Sequence, residues 1–265
     1  MTGMPNVPMA FLEVCHPLRI GCVLPDGRVE WTAAHGGHFS LRNAVDRGVG
    51  DGTNHVNLEI DSRRIRSGDV FAAVRGRTVD GHDYIPQAMA DGASVVLCDP
   101  SYRPERIPEA ALLGKASAPV LLQVADLGER LGSLAQVFYG EPAQGLTLVG
   151  VTGTNGKTTV ATLVWSLLRA LGVPASLLGT TGGTILDRPL GGSGKDEGPA
   201  LTTADPVRLA RWMREMRRAG STHLVMEVSS HALDQNRVQG LSFDVGAFTN
   251  LSHDHLDYHG SMHDY

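Results

Sequence analysis

Residues 146–171 read Leu-Thr-Leu-Val-Gly-Val-Thr-Gly-Thr-Asn-Gly-Lys-Thr-Thr-Val-Ala-Thr-Leu-Val-Trp-Ser-Leu-Leu-Arg-Ala-Leu. The run 146–151 is continuously apolar, as in a strand buried on both faces of a parallel sheet. Val160, Leu163, Val164, Leu167, Leu168 and Leu171 then recur at i, i+3, i+4, i+7, i+8 and i+11, one stripe of an amphipathic helix. Between strand and helix lies a glycine-rich turn ending in Gly156-Lys157-Thr158. Backbone N–H groups in such a turn can close around an anion, and the helix N-terminus adds a partial positive charge. Lys157 can reach the β- and γ-phosphates of a nucleotide, and the Thr158 hydroxyl can ligate Mg²⁺. Val151 holds the first position of GxxxxGK[ST], and the glycine stands one residue earlier, at Gly150.

On the C-terminal side, Gly172 and Pro174 end the helix, and 176–178 lies in the next strand. The glycine-rich segment 182–198 is expected to be mobile. Pro206 opens a helix with Leu209, Met213 and Met216 on one face, and 223–228 and 244–248 read as strands. On the N-terminal side, 56–60, 69–74, 93–98 and 119–124 read as strands. The stretch 83–90 reads as a helix closed by Gly92. A second helix starts after Asp126, with Glu129 in capping-box position, and runs to about Tyr139. Gly140, Pro142 and Gly145 make a hinge. Alternating strands and helices specify an α/β class with a mostly parallel sheet. Residues 1–55 show weak periodicity and no firm elements. The expected domains are therefore an N-terminal extension, 1–55, an α/β domain, 56–142, and a second, phosphate-loop domain, 143–265.

Composition agrees with this. The chain has 265 residues, the length of about two domains, and is 42% hydrophobic and 19% charged, which excludes a disordered chain. A formal net charge of −5 leaves no basic excess to neutralise nucleic-acid phosphates. Three cysteines without CxxC spacing make neither a disulfide framework nor a zinc site. No run reaches the ~18 apolar residues of a membrane span, and residues 1–13 carry no Lys or Arg. The expectation is a cytoplasmic chain with no membrane partner.

Two further clusters lie at strand ends, where ligands gather on parallel sheets. Glu227 ends an apolar strand. It reads as a carboxylate facing Mg²⁺ or as an edge glutamate paired with a cation. Ser229, Ser230 and His231 follow it and, taken alone, read as a polar loop. After 244–248 come three histidines and two aspartates within residues 249–260. They fit no zinc spacing, so Mg²⁺–nucleotide chemistry is favoured over zinc; His253, His259 and His263 read as solvated surface.

Taken together, the 153–159 loop, Met226-Glu-Val-Ser-Ser-His-Ala-Leu233 with Gln235 and Arg237, and Phe248-Thr-Asn-Leu-Ser-His-Asp-His-Leu-Asp-Tyr-His-Gly260 resemble the Mur ligases. Asp61-Ser-Arg63, residues 67–72 and Asp80-Gly-His-Asp-Tyr84 resemble the UDP-binding domain of the branch that adds the third residue of the peptidoglycan stem peptide. The resemblance spans roughly 56–265. It implies an N-terminal UDP-binding α/β domain and a partial central ATPase domain. By matching position, Ile60, Ser62, Arg77, Thr78 and Val79 would contact the uridine end. Gly153, Thr154, Asn155, Gly156, Lys157, Thr158 and Thr159 would bind ATP. Thr202, Thr203, Ser229, Gln235 and Arg237 would hold the UDP-N-acetylmuramoyl-dipeptide. Thr158, Glu227 and His255 would serve magnesium, and Lys157, Glu227 and His255 would be the catalytic set.

The resemblance also implies a reaction. ATP phosphorylates the D-glutamyl γ-carboxylate, and the amine of diaminopimelate or lysine displaces phosphate from the acyl phosphate. His253 stands where the family usually has Arg, and Leu201 where some members have Asn. The family's carbamylated lysine and third domain lie beyond the position of Tyr265, so the expectation is a C-terminally truncated, monomeric chain that forms no amide bond alone. Two alternatives stand beside this reading: a sister Mur or folylpolyglutamate-type ligase, and a nucleotide-binding module without ligase chemistry.

Overall fold

The computed structural model describes residues 15, 18–24, 26–33, 56–76, 79–113, 119–190 and 201–265. The chain divides into two compact units, Met1–Phe138 and Tyr139–Tyr265.

The first unit carries β1 (Arg19–Val23), β2 (Val29–Ala33), β3 (Leu58–Glu59), β4 (Val70–Ala72), α1 (Ile85–Asp91), β5 (Val95–Cys98), β6 (Val120–Gln123) and α2 (Leu127–Phe138). Its sheet runs β2-β1-β6-β5-β4-β3. β3 to β6 are parallel, while β1 is antiparallel to both neighbours. β4, β5 and β6 are buried along their whole length, which is why they read as apolar runs. Residues 19–33, where the sequence shows no firm element, form the β1–β2 hairpin. β2 leaves Glu30, Thr32 and Ala33 exposed, so its alternation is faint. Phe71, Ile85, Met89, Val96 and Leu121 anchor the core. A 3₁₀ turn, Gly81–Tyr84, leads into α1, and Gly92 closes α1 in the left-handed conformation at φ 119. Asp126 precedes α2 at φ 52, not in the extended backbone that a capping box requires.

The second unit carries β7 (Thr147–Thr152), α3 (Lys157–Ala170), β8 (Ala175–Gly179), β9 (Gly182–Ile185), β10 (Arg188–Pro189), α4 (Pro206–Arg218), β11 (His223–Glu227), α5 (Ser230–Asp234), β12 (Val245–Phe248) and α6 (Leu256–His259). Its sheet runs β10-β9-β8-β11-β7-β12, with β8, β11, β7 and β12 parallel. Side chains alternate across it. Leu148, Leu224 and Met226 pack with Leu209, Met213 and Met216 of α4, whereas Val149, Val151 and Val225 pack with α3.

Two expectations change here. Residues 182–189, expected to be mobile, form the β9–β10 hairpin. Gly183 is a packing position, since a Cβ there would lie 2.8 Å from both Leu178 and Leu190. The remainder, 191–198, lies outside the described residues. The apolar stripe of α3 also splits: Val160, Val164 and Leu168 face the sheet, while Leu163, Leu167 and Leu171 are exposed. Among the described residues, no helix is long and apolar enough to cross a membrane.

Candidate functional site

β7, β8, β11 and β12 are parallel, so their carboxyl ends, Thr152, Gly179, Glu227 and Phe248, share one edge of the second sheet. The chain leaves β7 for β8 on one side and reaches β12 on the other, which makes the edge near β7 and β11 a topological switch point.

The turn from Thr152 to Lys157 is held from outside by the segment after β12. Thr154 and Asn155 donate their main-chain N–H groups to Asn250, to its carbonyl at 2.9 Å and its Oδ1 at 3.1 Å. The Thr249 hydroxyl and the Asn250 amide donate in return to the Asn155 carbonyl, at 2.6 and 2.9 Å. Gly153, at φ 129, passes so close that a Cβ would lie 2.2 Å from Thr249 Oγ1. Lys157 folds back over the turn and donates to the carbonyls of Gly153 (2.6 Å) and Thr154 (3.0 Å). A phosphate would draw Lys157 off these neutral acceptors, because charge-assisted hydrogen bonds are the stronger ones. The first amides of α3 have no intrahelical partner and would be free for the same anion.

Glu227 is only 2% exposed, and its donors come from separate elements. The Thr158 hydroxyl donates to Oε2 at 3.0 Å, the Thr180 N–H to Oε1 at 2.9 Å and the Thr180 hydroxyl to Oε2 at 3.1 Å. Gly179 makes room for this carboxylate, since a Cβ there would lie 2.1 Å from Oε1. A carboxylate beside a hydroxyl is a hard oxygen donor pair that suits Mg²⁺ rather than zinc. Phosphate oxygens and water would complete such a sphere.

A polar wall continues from this pair. Thr202 Oγ1 lies 3.2 Å from the Thr180 hydroxyl. Ser229 caps α5 through the Ala232 N–H. Gln235 is clamped: Arg237 donates to its Oε1 at 3.0 and 2.5 Å, and its own amide donates to the Tyr258 hydroxyl at 2.8 Å. Burial holds the Arg237 guanidinium below its usual range. Thr203 differs from its neighbour: its buried hydroxyl donates to the Glu227 carbonyl (2.9 Å) and accepts from the Ser229 N–H (3.1 Å). That hydroxyl braces the wall, and Thr203 lines the same cavity as Thr202.

His255 adopts φ 51, and its ring packs edge-on against His231 with centroids 4.7 Å apart. No described hydrogen bond joins it to Thr158 or Glu227, and no group of three His, Cys, Asp or Glu among the described residues is arranged to hold a metal. His259 also packs on His231, and its Nε2 lies 3.0 Å from Ser230 Oγ, so it is more than solvated surface. Burial, and then the neighbouring His255 and His259, push the His231 pKa down.

In the first unit, Ser62 is buried in a 3₁₀ turn capped by Asp61, half-buried Ile60 precedes it, and Val79 is exposed in the loop that the Arg75–Asp80 bridge closes. Arg77 and Thr78 lie outside the described residues. Sequence reasoning missed Thr180, and it assigned no task to Thr249 and Asn250. The signal for Thr180 was its place directly after the strand ending at Gly179, on the carboxyl edge where ligands gather.

Comparison with known proteins gives the family of this fold. Residues 151–265 match the Mur ligase middle domain, and residues 55–139 match the Mur ligase family catalytic domain. The UDP-N-acetylmuramoyl-L-alanyl-D-glutamate–2,6-diaminopimelate ligase of Parabacteroides distasonis is 43% identical over 217 residues, covering 81% of this chain and 41% of that protein. The Pseudomonas aeruginosa protein of the same name is 45% identical over 208 residues, covering 78% of this chain and 40% of its own length. This chain thus spans about two-fifths of the curated relatives it matches. A solved structure of a ligase of that name superposes with a TM-score of 0.62 at 26% identity, covering 85% of this chain and 43% of that one. A MurF structure from Acinetobacter baumannii shares the fold, with a TM-score of 0.52 at 22% identity. The paired domain matches, the 41–45% identities and the phosphate loop at the sheet's switch point lead to one conclusion: the chain belongs to the Mur ligase family.

Proposed function

We propose that this chain supplies the uridine-binding and ATP-binding domains of a ligase that adds 2,6-diaminopimelate to UDP-N-acetylmuramoyl-L-alanyl-D-glutamate. The amino acid is the one in the names of its relatives. The observation that carries the reading is the Thr158–Glu227 contact at 3.0 Å, which sets a phosphate loop and a buried carboxylate at one point beside Thr202 and Arg237.

In this reading, residues 153–159 bind the ATP phosphates, with Lys157 leaving the Gly153 and Thr154 carbonyls for the β- and γ-phosphates. Thr158 and Glu227 would hold Mg²⁺, which when bound neutralises charge on the transferring phosphoryl group. Thr202, Ser229 and Arg237 hold the dipeptide, with Gln235 fixing the guanidinium. The γ-carboxylate of D-glutamate attacks the γ-phosphorus and ADP leaves. The amine then attacks the acyl carbon and phosphate departs. The chain's contribution to the first step is positioning and electrostatic stabilisation. Ile60, Ser62 and the 77–79 loop take the uridine end, and His255 would serve magnesium.

The test is ADP release by the full-length protein with ATP, the UDP-linked dipeptide and a candidate amino acid. Release that requires both the dipeptide and diaminopimelate supports the reading. Nucleotide binding without any such release favours a non-ligating module, and release with lysine alone moves the amino-acid assignment.

A further inference from the structure

The Thr180 hydroxyl stands within reach of two acceptors and has one proton. Glu227 Oε2 lies 3.1 Å away and Thr202 Oγ1 3.2 Å away. The Thr180 main-chain N–H holds Glu227 Oε1 at 2.9 Å whichever way the hydroxyl points. We propose that Thr180 is a positioning residue whose hydroxyl switches between Glu227 and Thr202, coupling occupancy of the dipeptide site to occupancy of the divalent-cation site. The inference rests on the functional reading above and adds to it a residue and a direction of coupling.

Donors and acceptors set the direction of this coupling. An ionised carboxylate only accepts. With Thr180 turned towards Glu227, Oε2 accepts from two hydroxyls at once, those of Thr158 and Thr180. An acceptor group of the dipeptide that takes the Thr202 proton polarises Thr202 Oγ1 and makes it the better acceptor for Thr180, because hydrogen bonds in a chain strengthen one another. Thr180 then turns away and frees a lone pair of Oε2. A cation arriving at Oε2 repels the same proton and drives it towards Thr202. Each ligand therefore favours the orientation that the other needs, and the coupling is positive and reciprocal. Thr180 is itself exposed, so removing its hydroxyl opens no cavity in a core.

The experiment uses Mn²⁺ as the probe, followed by the electron paramagnetic resonance signal of the free ion. The full chain is held with a non-hydrolysable ATP analogue, with and without UDP-N-acetylmuramoyl-L-alanyl-D-glutamate. In the unmodified protein the dipeptide tightens Mn²⁺ binding about fivefold or more, the lower range of ordinary site coupling. Thr180→Ser keeps that tightening. Thr180→Val still binds Mn²⁺, because its N–H remains, but its ratio falls to near one. Thr180→Ala gives the same result by another side chain, and thermal melts establish that each variant is folded. Equal tightening in Thr180→Val, or none in the unmodified protein, overturns the coupling alone. An unmodified protein that binds neither Mn²⁺–nucleotide nor dipeptide overturns the functional reading, and the coupling with it.

Discussion

Asp69 in the first unit and Glu227 in the second are both buried carboxylates, at 1% and 2% exposure, and they are held in different ways. Asp69 accepts from two main-chain amides, Asn57 N–H at 2.8 Å and Arg66 N–H at 2.9 Å, beside the Asn57 side chain. The two main-chain donors cannot turn, and they pin the segments leading into β3 and β4. Burial raises the Asp69 pKa, while the amide bonds act against that shift. Glu227 takes two of its three bonds from hydroxyls that stand 69 and 47 residues away in sequence. Hydroxyls rotate, so this carboxylate can exchange its protein donors for a cation, and Asp69 cannot. Equal burial thus marks a staple in one unit and, on the proposed function, an exchangeable ligand in the other.

Substitution separates the two. Asp69→Ala leaves two part-buried N–H groups without that acceptor, and the first unit should lose about 2 kcal/mol in chemical denaturation, at the lower end of ~1–3 kcal/mol per orphaned group. Its nucleotide affinity should stay unchanged. Glu227→Gln keeps the shape, and its new amide can donate to the same hydroxyls. Stability should move by less than ~1 kcal/mol, whereas Mn²⁺ affinity in the nucleotide complex falls roughly 10- to 100-fold, the scale of one charge-assisted contact. Stability loss in Glu227→Gln with unchanged Mn²⁺ affinity would erase the distinction. Gly179→Ala drives a Cβ towards Glu227 Oε1. The cost should be about 1–3 kcal/mol of overpacking, with Mn²⁺ affinity lowered because the carboxylate must move.

The smallest effect is a pH dependence in the first unit. The Arg63 side chain and its N–H hold the Asp61 pKa below the usual range. A depressed carboxylate contributes stability above its unfolded value of ~3.9, and that contribution is lost as pH falls through the lower folded value. The melting-temperature gap between the unmodified protein and Asp61→Asn should therefore narrow on acidification from neutral pH to below that range. A gap that widens would reverse the assignment.

The sequence was most readable where burial is two-sided or periodic. The β4 to β8 strands are apolar runs, and α4 places Leu209, Met213 and Met216 in the core as their spacing requires. It was least readable at single polar residues and at edges. β2 is a mostly exposed edge strand with little alternation. Thr180, Thr249 and Asn250 act through one hydroxyl or amide each, and such groups leave no period. The α3 stripe shows the limit of periodicity, which identifies a helix but not which half of its apolar arc the sheet covers. Lys157, Thr158 and Glu227 were legible as a site because their residue types and strand-end positions each require an explanation; the placement of His255 against His231 was not, because it depends on a left-handed turn.

On the proposed function, the turn before α3, with Lys157 and Glu227, is a nucleotide site. A calorimetric titration of the full chain with ATP, with and without Mg²⁺, on the unmodified protein and on Lys157→Ala, tests it most directly. The account expects saturable, Mg²⁺-dependent binding that weakens about 100-fold in Lys157→Ala, with no change in melting temperature. Unchanged affinity in Lys157→Ala would contradict it.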